Sequence, residues 1–73
     1  MRPRQANQFT AVEAWNEKWP EGTRVSVRRD DGTALVTVTR SPAWLLGGHT
    51  AVVMVDGISG GYLLSRVSPI VEG

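Results

Sequence analysis

The sequence contains no cysteine, a single histidine and a single lysine, and these absences limit its chemistry. Without cysteine there is neither a disulfide framework nor a thiolate metal site, so packing, sheet closure or self-association must stabilise the domain. Long apolar runs are absent too: no segment approaches the ~20 apolar residues of a membrane span, and the polar N-terminus lacks a signal-peptide core. We therefore expect a cytoplasmic protein, for which a homo-oligomer is one route to stability.

The length and the charge set further limits. A domain of 73 residues buries only ~60% of the surface of its unfolded chain, which leaves little room for a large internal active site. Hydrophobic residues make up 41% of the chain, enough for one core. The net charge is only +1, yet all the basic residues except Lys18 are arginines. This bias fits either a nucleic-acid surface or an arginine-anchored protein interface.

The N-terminal part predicts an arm followed by a short helix. Residues 1–8 are polar and without periodicity, so we expect a flexible arm. A helix is predicted over residues 11–18, because this segment opens with capping-box spacing and carries two tryptophans on one face. The tryptophan face favours packing of the helix over one opening of a barrel. The residues concerned are Thr10, Glu13, Trp15 and Trp19. Pro20 ends the helix, so residues 9–21 form a helix-and-turn unit.

The remainder, residues 22–73, predicts a small β structure. Alternating or β-branched stretches separated by Asp-Gly turns indicate strands over residues 23–29, 33–40, 51–55, 60–64 and 67–71. Residues 43–50 are apolar without alternation and then glycine-rich, which predicts a half-strand running into a loop. Five short strands joined by tight turns favour an all-β barrel, because closure removes exposed sheet edges.

The end of the chain resembles a known architecture. The sequence Gly61-Tyr62-Leu63-Leu64-Ser65-Arg66-Val67-Ser68-Pro69-Ile70 is similar to the strand, single helical turn and final strand that close SH3-like barrels. The resemblance spans residues 22–71 and implies a five-stranded SH3-like barrel with a short N-terminal helix. Integrase C-terminal domains and type II dihydrofolate reductases share this plan. The reductases carry Val-Gln-Ile-Tyr near the final strand, which this sequence lacks, so an oligomeric enzyme of that kind is the least favoured hypothesis.

A second resemblance is to small uncharacterised proteins encoded by bacteriophages and prophages of proteobacteria. Its most specific part is the sequence Thr39-Arg40-Ser41-Pro42-Ala43-Trp44-Leu45-Leu46-Gly47-Gly48-His49-Thr50. Trp15-Asn16, residues 20–25 and 53–55, and Gly60-Gly61 add to it. The resemblance implies a phage or prophage origin and supplies no mechanism.

The sequence offers no catalytic arrangement and no metal site. His49 has neither a cysteine nor a nucleophile motif to act with, and one histidine with scattered carboxylates makes no ligand cluster. The glycine pairs lack the helix start or Gly-Lys-Ser/Thr sequence of a phosphate-binding loop. We predict a non-enzymatic protein without metal or cofactor, in which the His49 side chain hydrogen-bonds across the Gly47-Gly48 loop and fixes its shape.

Two binding surfaces are compatible with the sequence. Between Arg40 and His49, a tryptophan and an arginine gather beside a glycine loop, and an exposed indole near a guanidinium makes an interface anchor. The favoured hypothesis is a protein partner, a host or defence component, bound by Arg40, Trp44, His49 and Tyr62, although Trp44 also fits a core position. The alternative is nucleic acid bound by Arg24, Arg28, Arg29 and Arg66, with Arg2 and Arg4 assisting, and for these arginines the competing interpretation is a solvated surface.

Overall fold

The fold, seen in a computed structural model that describes residues 4–71, combines one helix with two small sheets. In chain order the elements are α1 (Arg4–Lys18), β1 (Arg24–Arg28), β2 (Ala34–Val38), β3 (Trp44–Leu46), β4 (Thr50–Val53), β5 (Tyr62–Leu63), a 3-10 helix (Leu64–Arg66) and β6 (Val67–Pro69). The strands form two antiparallel three-stranded sheets, ordered β2-β1-β6 and β3-β4-β5. The prediction of a mainly β fold with an N-terminal helix is confirmed.

The helix is longer than predicted. It begins at Arg4, so Thr10 lies inside it, and both the start at residue 11 and the capping box are wrong. The expectation of a flexible arm over residues 1–8 is wrong from residue 4 onward, and residues 1–3 lie outside the described part of the chain. A tertiary contact explains the difference: Gln8 Oε1 accepts a hydrogen bond from the Ala51 N–H at 2.8 Å, which ties the first turns of α1 to β4.

The inner face of α1 packs against the core, as its tryptophan pattern predicts. Trp15 is 7% exposed and Trp19 is half-buried, with their ring centroids 6.3 Å apart. Val12 joins them on this face and contacts the same cluster of buried residues. The core beneath α1 is mostly small and β-branched, and consists of Val25, Val27, Ala43, Ala51, Val53, Val55, Leu64 and Val67.

The first sheet is built around β1. Val25 and Val27 are fully buried, whereas Arg24 and Arg28 are exposed on the opposite face. A turn held by Asp31 leads into β2, since Asp31 Oδ1 accepts hydrogen bonds from the N–H and the hydroxyl of Thr33 at 3.0 and 2.7 Å. β6 pairs with the other edge of β1.

The two sheets meet where β2 ends. Thr39 forms a bridge with Val55, and the neighbouring Arg40 N–H donates to Met54 O at 2.8 Å. The continuation of β4 therefore runs along the end of β2, while β4 itself pairs with β3. The break at Ser41-Pro42 separates β2 from β3, so the predicted half-strand near residue 44 is a short strand.

The described strands form no closed five-stranded barrel, in contrast to the predicted one. Within residues 4–71, β5 pairs only with β4, and β6 pairs only with β1. The reason is local: β5 has two residues before the chain turns into the 3-10 helix, which leaves too little strand to pair along a second edge.

Candidate functional site

An apolar surface covers the outer side of the β3-β4-β5 sheet. Cross-strand pairing aligns Trp44 with Val52 and Val52 with Leu63. Ala51 and Val53 of β4 lie in the core, so Val52 between them points to the opposite face. We call this surface the Trp44 face, and it comprises Trp44, Leu46, Val52 and Leu63.

The Trp44 face is partly covered by its own tryptophan. Val52 is only 2% exposed although it is turned away from the core. Trp44, by contrast, is 36% exposed, Leu46 53% and Leu63 40%. The three partly exposed side chains around the buried Val52 thus form one apolar patch on the outer side of the sheet.

Gly61 makes room for this indole. A Cβ atom at Gly61 would lie 2.9 Å from Val52 Cγ2 and 3.3 Å from Trp44 Cη2, closer than side chains tolerate. The φ of Gly61 is not in the left-handed region, so the close approach of Trp44 and Val52 is what requires glycine here. Glycine at position 61 therefore leaves the room that Val52 and the indole of Trp44 occupy.

Arg40 lies at the junction of the two sheets, beyond Trp44. Its Nε is 3.4 Å from Asp56 Oδ1 and also donates to Val55 O at 3.4 Å. The side chains of Arg40 and Asp56 are 42% and 62% exposed, so water screens their attraction. Arg40 thus supplies a partly neutralised charge at the junction of the two sheets.

His49 lies in the turn between β3 and β4. Its ring lies over Gly47, since a Cβ atom built there would be 3.6 Å from His49 Nε2. The hydrogen bond of Nδ1 goes to Thr50 Oγ1 at 3.3 Å, rather than across the loop as predicted. Gly47 and Gly48 both have positive φ, +63° and +83°, so glycine alone fixes much of the turn.

Tyr62 does not belong to the same surface. It pairs with the buried Val53 and packs against the core, on the side of the sheet opposite to Trp44. Its hydroxyl donates to Arg28 O at 2.8 Å and so links β5 to β1. Of the four residues predicted to bind a protein, Trp44 lies on the outer side of the β3-β4-β5 sheet, Arg40 at the junction of the two sheets and His49 in the β3-β4 turn, whereas Tyr62 turns inward.

A cleft adjoins the Trp44 face at Leu63. It has a volume of about 410 Å³ and lies between α1 and the segment from β5 into the 3-10 helix. Its walls combine four apolar and four polar residues, namely Ala11, Ala51, Leu63, Leu64, Gln8, His49, Thr50 and Ser65. The cleft and the Trp44 face have Leu63 in common, whereas Ala51 and Leu64 place other parts of the cleft's apolar lining toward the core.

The predicted nucleic-acid residues are divided between two places. Arg24 and Arg28 share the outer face of β1, with Ser26 between them. Arg66 is paired with Asp30, and this hydrogen bond raises the pKa of the Arg66 guanidinium above its ordinary value. Arg29 is exposed at the start of the turn between β1 and β2, which also contains Asp30. Arg2 and the side chain of Arg4 lie outside the described residues.

The sequence analysis missed Leu46, Val52 and Leu63. One signal was available: residues 51–55 are apolar at every position, and a strand that is apolar on both faces is covered on both faces. The core covers one face of β4, and Trp44 pairs with Val52 on the other face. The pairing of Leu63 with Val52 was not predictable from the sequence, because it depends on the register between β4 and β5.

Neither metal ligation nor known relatives define this site. Among the described residues, no three His, Asp or Glu side chains lie close enough together to hold a metal ion. None of the helices formed by those residues has the length and hydropathy to cross a membrane. No protein-family model, curated protein or solved structure matches the chain.

Proposed function

We propose that the protein is a non-enzymatic binding module that holds a protein partner on the Trp44 face. The observation that carries the proposal is the exposed indole of Trp44, which pairs across the strands with the buried Val52 and shares its face with the exposed Leu46 and Leu63. Tryptophans are enriched among the residues that dominate binding energy at protein interfaces. On the sequence grounds given above, we further propose a bacteriophage or prophage accessory role in the cytoplasm, with a host or defence component as partner.

The chemistry of the face favours protein over nucleic acid. None of its four residues carries a charge, and Arg40 is already paired with Asp56. Nucleic-acid surfaces derive most of their affinity from cations that meet phosphates, whereas protein interfaces centre on desolvated aromatic and aliphatic side chains. Arg40 and Asp56 fit the polar rim of such an interface.

We also propose that the chain follows the SH3-like plan. Its support is the relation of β2 and β3 to β4, because the two short strands act as halves of one bent strand interrupted at Ser41-Pro42. The first half pairs with β1 and, through Thr39, meets Val55, while the second half pairs with β4. The 3-10 helix before β6 occupies the place of the single helical turn in that plan.

The test is affinity capture from a lysate of a candidate bacterial host. The wild-type chain is compared with Trp44→Ser and with the control Val36→Ser, which removes an apolar side chain 54% exposed on the other sheet. We expect a captured protein whose affinity falls at least ~30-fold with Trp44→Ser, the loss typical of a central interface residue, and stays unchanged with Val36→Ser.

The proposal fails if the Trp44→Ser chain keeps its circular dichroism spectrum and captures the same protein with the same affinity. It also fails if Val36→Ser weakens capture as much as Trp44→Ser does. The second result would show that general surface hydrophobicity, rather than the Trp44 face, holds the partner.

A second candidate function is nucleic-acid binding on the outer face of β1. The observation in its favour is that Arg24 and Arg28 lie on one face, with the hydroxyls of Ser26 and its cross-strand partner Ser68 between them. Two residues four apart on a strand are separated by ~13 Å, a reach that suits two phosphates of one backbone. A steep fall in oligonucleotide affinity with salt, lessened by Arg28→Gln, would support it, whereas no binding at low salt would remove it.

A further inference from the structure

The cleft beside the Trp44 face has a lining that is half apolar and half polar. Its apolar lining comes from Ala11, Ala51, Leu63 and Leu64. Among the residues whose side chains the structure describes, no Asp, Glu, Lys or Arg lines it, so a charged group that entered would lose hydration without finding a partner charge there. Its volume of about 410 Å³ lies near the lower end of the ~300–1,000 Å³ found for ligand pockets, which suits a large side chain.

The polar part of the lining offers hydrogen-bonding groups to a peptide that enters the cleft. Gln8 uses Oε1 to accept from the Ala51 N–H at 2.8 Å, and the other end of the same amide carries two N–H donors. Ser65 and His49, with a hydroxyl and an imidazole, line the cleft as well. Such groups match the carbonyl and N–H groups of a peptide backbone on either side of an inserted apolar side chain.

The exposed area distinguishes a peptide from a second copy of the chain. The three partly exposed side chains of the Trp44 face present roughly 300 Å² of apolar surface, well below the ~800 Å² that each partner buries in a standard interface. A second copy held by this face alone would therefore be unstable. An extended peptide needs less area, and Leu63, which belongs to both the cleft and the face, is where it would pass from one to the other.

We infer that the cleft binds one apolar, uncharged side chain of an extended peptide segment whose neighbouring residues lie across the Trp44 face. The inference rests on the proposed function, to which it adds the chemistry of the partner. The inserted side chain is aromatic or a large aliphatic, since smaller groups would leave the cleft underfilled. The partner's recognised element is thus a short linear segment rather than a folded surface.

The experiment selects binders from a library of random twelve-residue peptides displayed on yeast. Selected peptides are then measured against the wild-type chain and three variants. Ala11→Leu fills the cleft from an exposed position of α1, Ala14→Leu adds the same group to an exposed position of α1 outside the cleft, and Trp44→Ser removes the indole. We expect the peptides to share one aromatic or large aliphatic residue and to lose at least ~10-fold in affinity with Ala11→Leu but not with Ala14→Leu.

The outcomes separate the inference from the proposed function. Loss with both Ala11→Leu and Trp44→Ser supports both. Loss with Trp44→Ser alone overturns the cleft and leaves the Trp44 face standing, whereas loss with Ala11→Leu alone supports the cleft and contradicts the face. Failure to select any peptide, binding of free indole without any selected peptide, or a concentration-dependent dimer abolished by Trp44→Ser would each overturn the peptide as the occupant.

Discussion

The side-chain amide of Asn16 bonds both backbone groups of Ala43. Asn16 Nδ2 donates to Ala43 O at 3.0 Å, and the Ala43 N–H donates to Asn16 Oδ1 at 2.7 Å. The amide thereby takes the place of a neighbouring strand at the entry to β3. Together with the bond from the Ala51 N–H to Gln8, it attaches the helix to the second sheet at two separate points.

Replacing Asn16 by alanine is expected to destabilise the fold by about 1–2 kcal/mol, because the buried backbone groups of Ala43 lose their partners. The measurement is the free energy of unfolding from urea titration. Glu17→Ala, an exposed change on the same helix, serves as the control and should stay within ~0.5 kcal/mol of wild type. Equal effects of the two substitutions would contradict the assigned role of Asn16.

Gly61→Ala is expected to cost about 1–3 kcal/mol, because the new methyl group overlaps Val52 and presses on the indole of Trp44. A double-mutant cycle with Val52→Ala tests the cause. Removing the valine methyls gives the alanine space, so the cost of Gly61→Ala should fall by ~0.5–3 kcal/mol in the Val52→Ala background. Strictly additive free energies of unfolding would argue for a backbone effect at Gly61 instead.

Thr39→Val tests the single buried polar side chain found among the described residues. Thr39 is 2% exposed, and its hydroxyl accepts from the N–H groups of Gly22 and Thr23 at 3.1 and 3.2 Å. Both N–H groups have a second acceptor, Thr39 O and Pro20 O, which limits the expected loss to about 1–2 kcal/mol. Thr37→Val removes an exposed hydrogen bond to Asp56 O and should destabilise the fold less than Thr39→Val does. A larger loss of thermal stability with Thr37→Val than with Thr39→Val would refute this account.

The turn before β2 should make stability depend on pH in the acid range. The hydrogen bond from the Thr33 hydroxyl, followed by that from its N–H, holds the pKa of Asp31 below its ordinary value. A carboxylate with a lowered folded-state pKa stabilises the fold above its unfolded-state pKa of ~3.9, and this contribution is lost as the pH falls through the folded value. Asp31→Asn should therefore be less stable than wild type near neutral pH and equal to it in strong acid. A difference that is constant across this range would contradict the prediction.

The prediction of the fold succeeded where local patterns decide the structure. The patterns that predict β1, the turn at Asp31 and β2 are local, because each lies within a few neighbouring residues. All three elements occur where they were predicted. The start of α1 was mispredicted because it depends on Gln8 reaching Ala51, a contact between distant parts of the chain. Barrel closure likewise depends on long-range pairing, which local patterns do not determine.

The candidate site was predicted in part for the same reason. Trp44 and Arg40 stand out by residue type, but the face around Trp44 is assembled by the register of three strands. Tyr62 was grouped with them on residue type alone, whereas its pairing with Val53 turns it toward the core. Sequence composition identifies which side chains can anchor a partner, and the strand register decides which of them share a face.

The pairing of β6 with β1 also orders events in time. The β1-β2 and β3-β4 pairs join neighbouring segments, so each hairpin can form within microseconds. Val25, however, pairs with Pro69, which lies near the C-terminal end of the described residues. This contact forms only after a long loop has closed. We therefore expect the pairing of β6 with β1 to form late, so that changes to β6 speed unfolding more than they slow folding.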